Sequence, residues 1–232
     1  MNKTLVFTAT YNESENIKKF IEEVFKINHN LDLLIIDDNS PDKTSNIVKI
    51  LSKNNKNIKL ITRDSKLGLN TAHISAYEYA VKNKYDKLIT LDADLSHDPN
   101  EITKIIGLLD KYDFVIGSRY IRGGKNTQPV FRYLISYLGN RLIKLILKIN
   151  LNEFTTSYRG FNIKKLNNFN LNQIKGKGYS FFMETIIVLN RLGYKCFEFP
   201  IQFKDRVYGK SKIPKIEIFR TFKNLILLFL KK

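Results

Sequence analysis

Hydrophobic and polar positions switch between two periods along the first half of the chain. Leu5–Thr10, Leu33–Asp37, Ile58–Thr62, Leu88–Leu91 and Phe114–Ile116 are short, nearly continuous apolar runs, as buried strands require. Between them the spacing becomes helical. Ile17, Phe20, Ile21, Val24 and Phe25 recur at i, i+3 and i+4, and Asn12 with Glu15 predicts a capped start for that helix. Thr44–Leu51 and Thr71–Lys82 read as two more helices, while Asp98-Pro99-Asn100-Glu101 offers an N-cap, Pro at N1 and Glu at N3 for another. Turn chemistry marks Asn39-Ser40-Pro41-Asp42, and Lys66-Leu67-Gly68-Leu69 reads as a loop. Strict alternation predicts an α/β protein with right-handed crossovers and a mostly parallel central sheet flanked by helices. Ligands of such sheets sit at the carboxyl ends of the strands, so the residues that follow each strand are the first candidates for chemistry.

The second half is less regular. Val130–Ile149 is long and apolar but punctuated by Gly139-Asn140, so it reads as one kinked helix or two. Glu153–Phe161 is a polar loop entering a short strand, Phe181–Leu192 a helix, and Lys195–Phe203 a strand containing Pro200. Asp205–Lys212 is a basic loop and Ile216–Leu230 a closing helix. Arg141, Lys144 and Lys148 fall within about 60° of one another on a helical wheel, with Leu142, Leu145, Ile146 and Ile149 on an adjoining face. Phe219, Phe222, Leu225, Ile226 and Phe229 before Lys231-Lys232 repeat that amphipathic pattern, which suits the interface of an anionic bilayer. With no internal repeat and no linker, residues 1–232 are expected to form one domain with two functional halves, 1–118 and 119–232.

Composition narrows the class. The 232 residues are 43% hydrophobic with a single cysteine, which excludes a disordered chain, a collagen-like repeat and a disulfide scaffold. Cys196 alone cannot form an intrachain disulfide. The apolar run after Met1-Asn2-Lys3-Thr4 is too short for a signal-peptide core, and no uncharged stretch approaches the ~20 residues that span a bilayer, so peripheral rather than integral attachment is expected. The net charge of +17 is unevenly placed: residues 1–118 carry 16 Lys/Arg against 17 Asp/Glu, and residues 119–232 carry 23 against 5. The basic half therefore predicts an anionic partner, whether membrane, phosphate-bearing substrate or nucleic acid. Nucleic acid fits less well, because the cations are interleaved with apolar helices.

Three acidic or polar clusters follow strands. Asp92-Ala93-Asp94 can share a divalent ion such as Mg²⁺ or Mn²⁺, whose hard-oxygen preference suits two carboxylates and a substrate diphosphate. Asp37-Asp38 serves either as an Asx-turn and helix cap or as an acceptor for ribose hydroxyls or a base edge, and Thr10-Tyr11-Asn12-Glu13 ends the first strand on the same rim. Neither G-x-x-x-x-G-K-[ST] nor G-x-G-x-x-G follows the first strand, so a nucleotide would depend on a metal and on cationic side chains.

Those runs, together with Lys66-Leu67-Gly68-Leu69, Asp92-Ala93-Asp94-Leu95-Ser96-His97, Gly117-Ser118-Arg119-Tyr120, Thr156-Ser157-Tyr158-Arg159 and Asp205-Arg206-Val207-Tyr208-Gly209-Lys210-Ser211-Lys212, resemble family 2 glycosyltransferases of the GT-A (nucleotide-diphospho-sugar transferase) fold. Within them the chain is most similar to the dolichol-phosphate mannosyltransferase and polyprenyl-phosphate branch. The resemblance implies that Tyr11, Glu13 and Asp38 contact the nucleoside of a sugar nucleotide, and that Asp92, Asp94 and Ser96 hold the metal on its diphosphate. It further implies that Arg119, Arg132 and Ser136 receive a lipid phosphate and that Arg206 and Lys212 close over the donor phosphates, with Asp94, Arg119 and Arg206 central to catalysis. Glu184 would be an active-site acid by the same analogy, or else a surface residue. Glu153, Thr156 and Tyr158 depart from the usual Asp, Gly and Phe near the expected acceptor pocket. The implied reaction is metal-dependent, inverting transfer of a hexose, with mannose from GDP-mannose favoured, to a polyprenyl phosphate at the cytoplasmic face of a membrane, with or without a membrane partner subunit. A UDP-sugar donor is the alternative within the class. A sugar-phosphate nucleotidyltransferase is the more remote one, and Thr8–Asn12 lacks the Gly-rich, Arg-bearing loop it would need.

Overall fold

The computed structural model describes residues 3–27 and 31–204. Arg206, Lys212, the basic loop 205–212, the closing amphipathic segment 216–230 and His29 therefore lie outside the described residues. The first half alternates as expected: β1 Thr4–Thr10, α1 Ile17–Ile27, β2 Leu31–Asp37, α2 Thr44–Asn54, β3 Ile58–Thr62, α3 Leu69–Lys82, β4 Lys87–Thr90, α4 Ile102–Lys111 and β5 Phe114–Ser118. A short 3₁₀ turn, Pro99–Glu101, leads into α4, and the Asp98 side chain caps it by accepting from the Asn100 amide. The second half adds β6 Lys125–Asn126, α5 Val130–Leu147, β7 Arg159–Asn162, α6 Tyr179–Arg191, β8 Cys196–Pro200 and β9 Gln202–Phe203.

Seven strands form one sheet in the order β3-β2-β1-β4-β7-β5-β8. All neighbours are parallel except β7, which runs antiparallel to both β4 and β5. β1, β2, β4 and β5 are buried on both faces, which is why they read as nearly unbroken apolar runs rather than alternating ones. One hydrophobic cluster packs α3 and α6 on one face, and a second packs α1 and α4 on the other. Because β7 is reversed, its N-terminal end arrives at the rim where β1, β2, β4 and β5 finish. Residues 153–158 are delivered there with it. Gly160 permits that insertion, since a Cβ at this position would meet Ile105 Cγ2 at 2.6 Å and Val115 Cγ2 at 2.8 Å.

Two local expectations change, and one open alternative closes. Asn12 does not cap α1: its backbone is left-handed (φ 58°), and its amide donates to Ser40 Oγ at 3.0 Å. A turn on Glu13, whose carbonyl accepts from the Asn16 and Ile17 amides, starts the helix four residues later instead. Val130–Leu147 is one continuous helix, ended by Lys148 in a left-handed cap. Gly139 leaves open space there, and Asn140 ties the helix to Phe154 by accepting that residue's amide at 2.8 Å. The expected strand Lys195–Phe203 divides at Ile201, whose N–H donates to Ser118 and whose carbonyl accepts from Lys125. The chain thereby leaves β5 and pairs its last residues with β6.

Candidate active site

The rim above β1, β2 and β3 is built from interlocked side chains. Thr10 and Asp37 are register partners in adjacent strands, and Thr10 Oγ1 donates to Asp37 Oδ1 at 2.7 Å. Asp37 also accepts from the Ser40 amide at 2.9 Å and hydroxyl at 2.6 Å, so this fully buried carboxylate is an Asx-turn anchor. Asp38 faces a different partner. Its carboxylate pairs with Arg63, whose guanidinium also donates to Thr71 Oγ1 and to the Gly68 carbonyl. Asp38 Oδ2 accepts from the Gly68 amide at 3.3 Å, and the pair therefore ties the 64–68 loop to β2. Lys66 Nζ stands 4.1 Å from the centre of the Tyr11 ring, a cation–π contact across the mouth of this end. Glu13 joins Asn16 Nδ2 at 2.8 Å and donates its own amide to Thr44 Oγ1.

The acidic triplet follows β4. Asp94 is buried, and its Oδ1 accepts from the Ser96 amide at 3.1 Å, in a tight loop that places Leu95 at φ 61°. Ser96 Oγ is buried with no hydrogen-bond partner among the described residues. Asp92 is more open and accepts from Ser157 Oγ at 2.7 Å. His97 braces the loop from below: Nδ1 accepts the Asp92 amide at 3.2 Å, and Nε2 lies 3.2 Å from Thr156 Oγ1. Burial lowers its pKa more than the nearby Asp92 and Asp94 raise it, so the ring is neutral and donates through Nε2. Among the described residues no three His, Cys, Asp or Glu side chains cluster as a self-sufficient metal site. The donor set of Asp92, Asp94 and the unpartnered Ser96 hydroxyl instead suits a hard divalent ion that completes its shell with water and phosphate oxygens.

The cationic end follows β5. Arg119 donates to Glu153 twice, Nε to Oε2 at 2.8 Å and Nη2 to Oε1 at 2.9 Å, and Nη2 also reaches Thr155 Oγ1 at 3.1 Å. Burial opposes both charges. The partners' mutual attraction outweighs it, holding Glu153 below the ordinary carboxylate range and raising Arg119 above its usual value. Glu198 on β8 holds the base of this loop by accepting the Asn152 and Glu153 amides, each at 2.7 Å. The guanidinium of Arg159, fully buried, donates to the carbonyls of Thr156, Phe182 and Phe154, and burial lowers its pKa to about 9. On α5, Ser136 Oγ accepts from Tyr120 OH at 2.6 Å and Arg132 is exposed.

Residues 153–158 join the two charged ends: Glu153 and Thr155 grip Arg119, Thr156 meets His97, and Ser157 meets Asp92. Phe203 closes the gap, its ring 5.2 Å from His97 and 5.3 Å from the Arg119 guanidinium. The expected site residues Tyr11, Glu13, Asp38, Asp92, Asp94, Ser96 and Arg119 thus follow β1, β2, β4 and β5 at one rim, with Ser136 joined to it through Tyr120. Glu184 on α6 accepts the amides of Lys175 (3.2 Å) and Gly176 (2.7 Å), just before that helix begins. Sequence reasoning passed over Arg63. The signal was present, since it is the first residue after β3 on the same rim.

The family described as "Glycosyl transferase family 2" matches residues 5–169. An undecaprenyl-phosphate mannosyltransferase of Micrococcus luteus is 32% identical over 212 residues, covering 91% of this chain and 87% of the relative. A polyprenol monophosphomannose synthase of Mycolicibacterium smegmatis is 30% identical over 214 residues, covering 91% and 81%. Among solved structures, glucosyl-3-phosphoglycerate synthase from Mycobacterium tuberculosis, bound to Mn²⁺, UDP and glucosyl-3-phosphoglycerate, aligns with TM-score 0.68 at 15% identity over 99% of this chain and 79% of that one. A mannosyltransferase from Pyrobaculum calidifontis with GDP-Man and Mn²⁺ aligns with TM-score 0.61 at 14% identity over 99% and 64%. These likenesses establish a GT-A-type α/β fold.

Proposed function

The chain belongs to glycosyl transferase family 2, and from that premise we propose that this glycosyltransferase moves mannose from GDP-mannose to a polyprenyl phosphate with inversion at the anomeric carbon. The observation that carries the reading is one rim with an acidic triplet at one end and a buried, bidentate arginine at the other, beside a helix whose outward face is apolar. Val130, Phe131, Leu134, Ile135, Leu138, Leu142 and Leu145 are all exposed on α5. An amphiphile with an anionic head fits that sequence of surfaces. Two relatives at 30% identity or more, named for polyprenyl-phosphate mannose transfer, support the same acceptor.

In the proposed reaction Asp92, Asp94 and Ser96 would hold Mg²⁺ or Mn²⁺. That ion supplies charge neutralisation for the departing nucleoside diphosphate. Tyr11, Glu13 and Asp38 hold the nucleoside end, with Arg63 fixing the Asp38 carboxylate. A phosphate monoester has its second pKa near ~6, so at neutral pH it attacks as a dianion. Its oxygen bonds to the sugar's C1 while the C1–O bond to the diphosphate breaks, the electron pair leaving with GDP. No general base is required, because no proton is removed from the nucleophile. Arg119 orients that phosphate through Nη1, the guanidinium nitrogen not engaged by Glu153 or Thr155, and Arg132 and Ser136 approach from α5.

No helix among the described residues is long and apolar enough to cross a membrane. Attachment at the cytoplasmic face is proposed to be peripheral, through the exposed face of α5 and its cations Arg141 and Lys148. Lys144 contributes less than the sequence suggested, since its Nζ is engaged with Asn152 Oδ1 at 2.8 Å, and Ile149 is buried. A panel of radiolabelled GDP- and UDP-sugars offered with a short prenyl phosphate tests the reading: label reaches the lipid product from GDP-mannose, and label from a UDP-sugar alone replaces the donor assignment.

A further inference from the structure

We infer that Tyr120, Tyr133 and Tyr137 form a track for the hydrocarbon next to the acceptor's phosphate, an inference that rests on the acceptor class proposed above. Tyr120 follows Arg119 directly, and its ring centre lies 5.0 Å from the guanidinium carbon. Its hydroxyl is spent on Ser136 Oγ at 2.6 Å, which fixes the ring against α5. Tyr133 and Tyr137 stand one turn apart on α5 with their rings stacked, 5.9 Å between centres and 14° between planes. Both meet the Tyr120 ring, at 5.9 and 5.6 Å.

Each of the three tyrosines is half-buried, and none belongs to either hydrophobic core cluster. They therefore form a separate aromatic surface rather than part of the packing that holds the sheet. Burial raises Tyr120 to about 12, so its hydroxyl stays neutral and the surface adds no negative charge beside the phosphate. Leu134 and Leu138, 47% and 62% exposed, continue the surface on the neighbouring flank of α5. Outward from the site the order is buried cation, half-buried aromatic rings, exposed aliphatic side chains. A prenyl phosphate presents the same order, anionic head and then branched hydrocarbon, whereas a water-soluble phosphate acceptor would leave the last two surfaces without a use. Aromatic faces bury apolar area at little conformational cost, because each ring has only two side-chain torsions to fix.

The test uses the full chain and soluble acceptors of one, two and three isoprene units, so no bilayer takes part. For the wild type, acceptor KM falls as units are added. Tyr133→Ala and Tyr137→Ala are expected to lose most of that gain, raising KM for the three-unit acceptor about tenfold, or ~1.4 kcal/mol, while donor KM stays at the wild-type value and thermal unfolding remains one cooperative transition. Tyr120→Phe, which keeps the ring, retains the chain-length dependence. An unchanged dependence in both alanine variants overturns the track while leaving the acceptor class standing. Failure of the wild type to use any of the three phosphates strikes the acceptor class itself, and the track with it.

Discussion

Replacing Glu153 by Gln removes one negative charge from the interior and keeps the side chain's length. Glu153 has no exposed side-chain surface and Arg119 only 9%, and two N–H···O bonds of 2.8 and 2.9 Å join them. A neutral amide accepts from one edge of the guanidinium but turns its own NH₂ toward the other, so a buried cation loses its counter-charge and one bond. Breaking one partner of such a pair costs about 3–5 kcal/mol. For a chain of this size each kcal/mol lowers the melting temperature by roughly 2–4 °C, so Glu153→Gln is expected to melt roughly 6–20 °C below wild type. Removing both charges together, as in Glu153→Leu with Arg119→Met, should recover much of the loss, because neither ion is then stranded. Thermal unfolding of the wild type, Glu153→Leu, Arg119→Met and the double variant gives the coupling directly.

The pH dependence has a definite sign. Burial pushes the Glu153 pKa up, but the charge and hydrogen bonds of Arg119 pull it down by more, so the folded value lies below the unfolded one. Its contribution is complete above the ordinary carboxylate value and fades as pH falls through the depressed folded value. Glu153→Gln should lack that acid loss. A single variant within about 1 kcal/mol of wild type, or a cycle without coupling, refutes the buried-pair reasoning.

Asp94→Ala is expected to abolish metal-dependent stabilisation of bound nucleotide and to lower kcat/KM on the order of a hundredfold, as for loss of several kcal/mol of charge neutralisation; equal metal dependence and equal activity would remove Asp94 from the metal set. Arg63→Met should release Asp38 and raise donor KM about tenfold with acceptor KM unmoved, checked by steady-state kinetics in both substrates. Gly160→Val should destabilise the fold by at least about 1–3 kcal/mol, since added atoms meet Ile105 and Val115, and denaturant unfolding reads the shift. The wild type should float with anionic liposomes at low salt, and Leu138→Glu with Leu145→Glu should leave it in the aqueous fraction; equal flotation would move membrane contact away from α5.

The strand–helix alternation was legible because parallel strands buried on both faces must be apolar throughout, and helices on them must be apolar every third or fourth residue. The rim residues after β1, β2, β4 and β5 were legible for the same reason, since order in the chain places carboxyl ends together. What was hidden depends on contacts far apart in sequence. Nothing local announces that β7 inserts in reverse between β4 and β5, because Arg159–Asn162 is only four residues long and carries a buried guanidinium. Asn12 looked like a helix cap, but a tertiary bond from its amide to Ser40 Oγ won over the local capping pattern. Pro200 is the last residue of β8, and the chain turns one residue later, where Ile201 exchanges β5 for β6. The partners of Asp38 and Arg119, namely Arg63 and Glu153, are 25 and 34 residues away, beyond the reach of any local pattern.

The most direct test of the central claim is the fate and configuration of the sugar. Purified protein with GDP-[¹⁴C]mannose, a short prenyl phosphate and Mg²⁺ or Mn²⁺ should place label in the organic phase as a mannosyl phosphodiester whose C1 configuration is inverted relative to the donor. Retained configuration would contradict direct displacement by the phosphate. Label that stays in the aqueous phase, with the prenyl phosphate recovered unchanged, would contradict the acceptor.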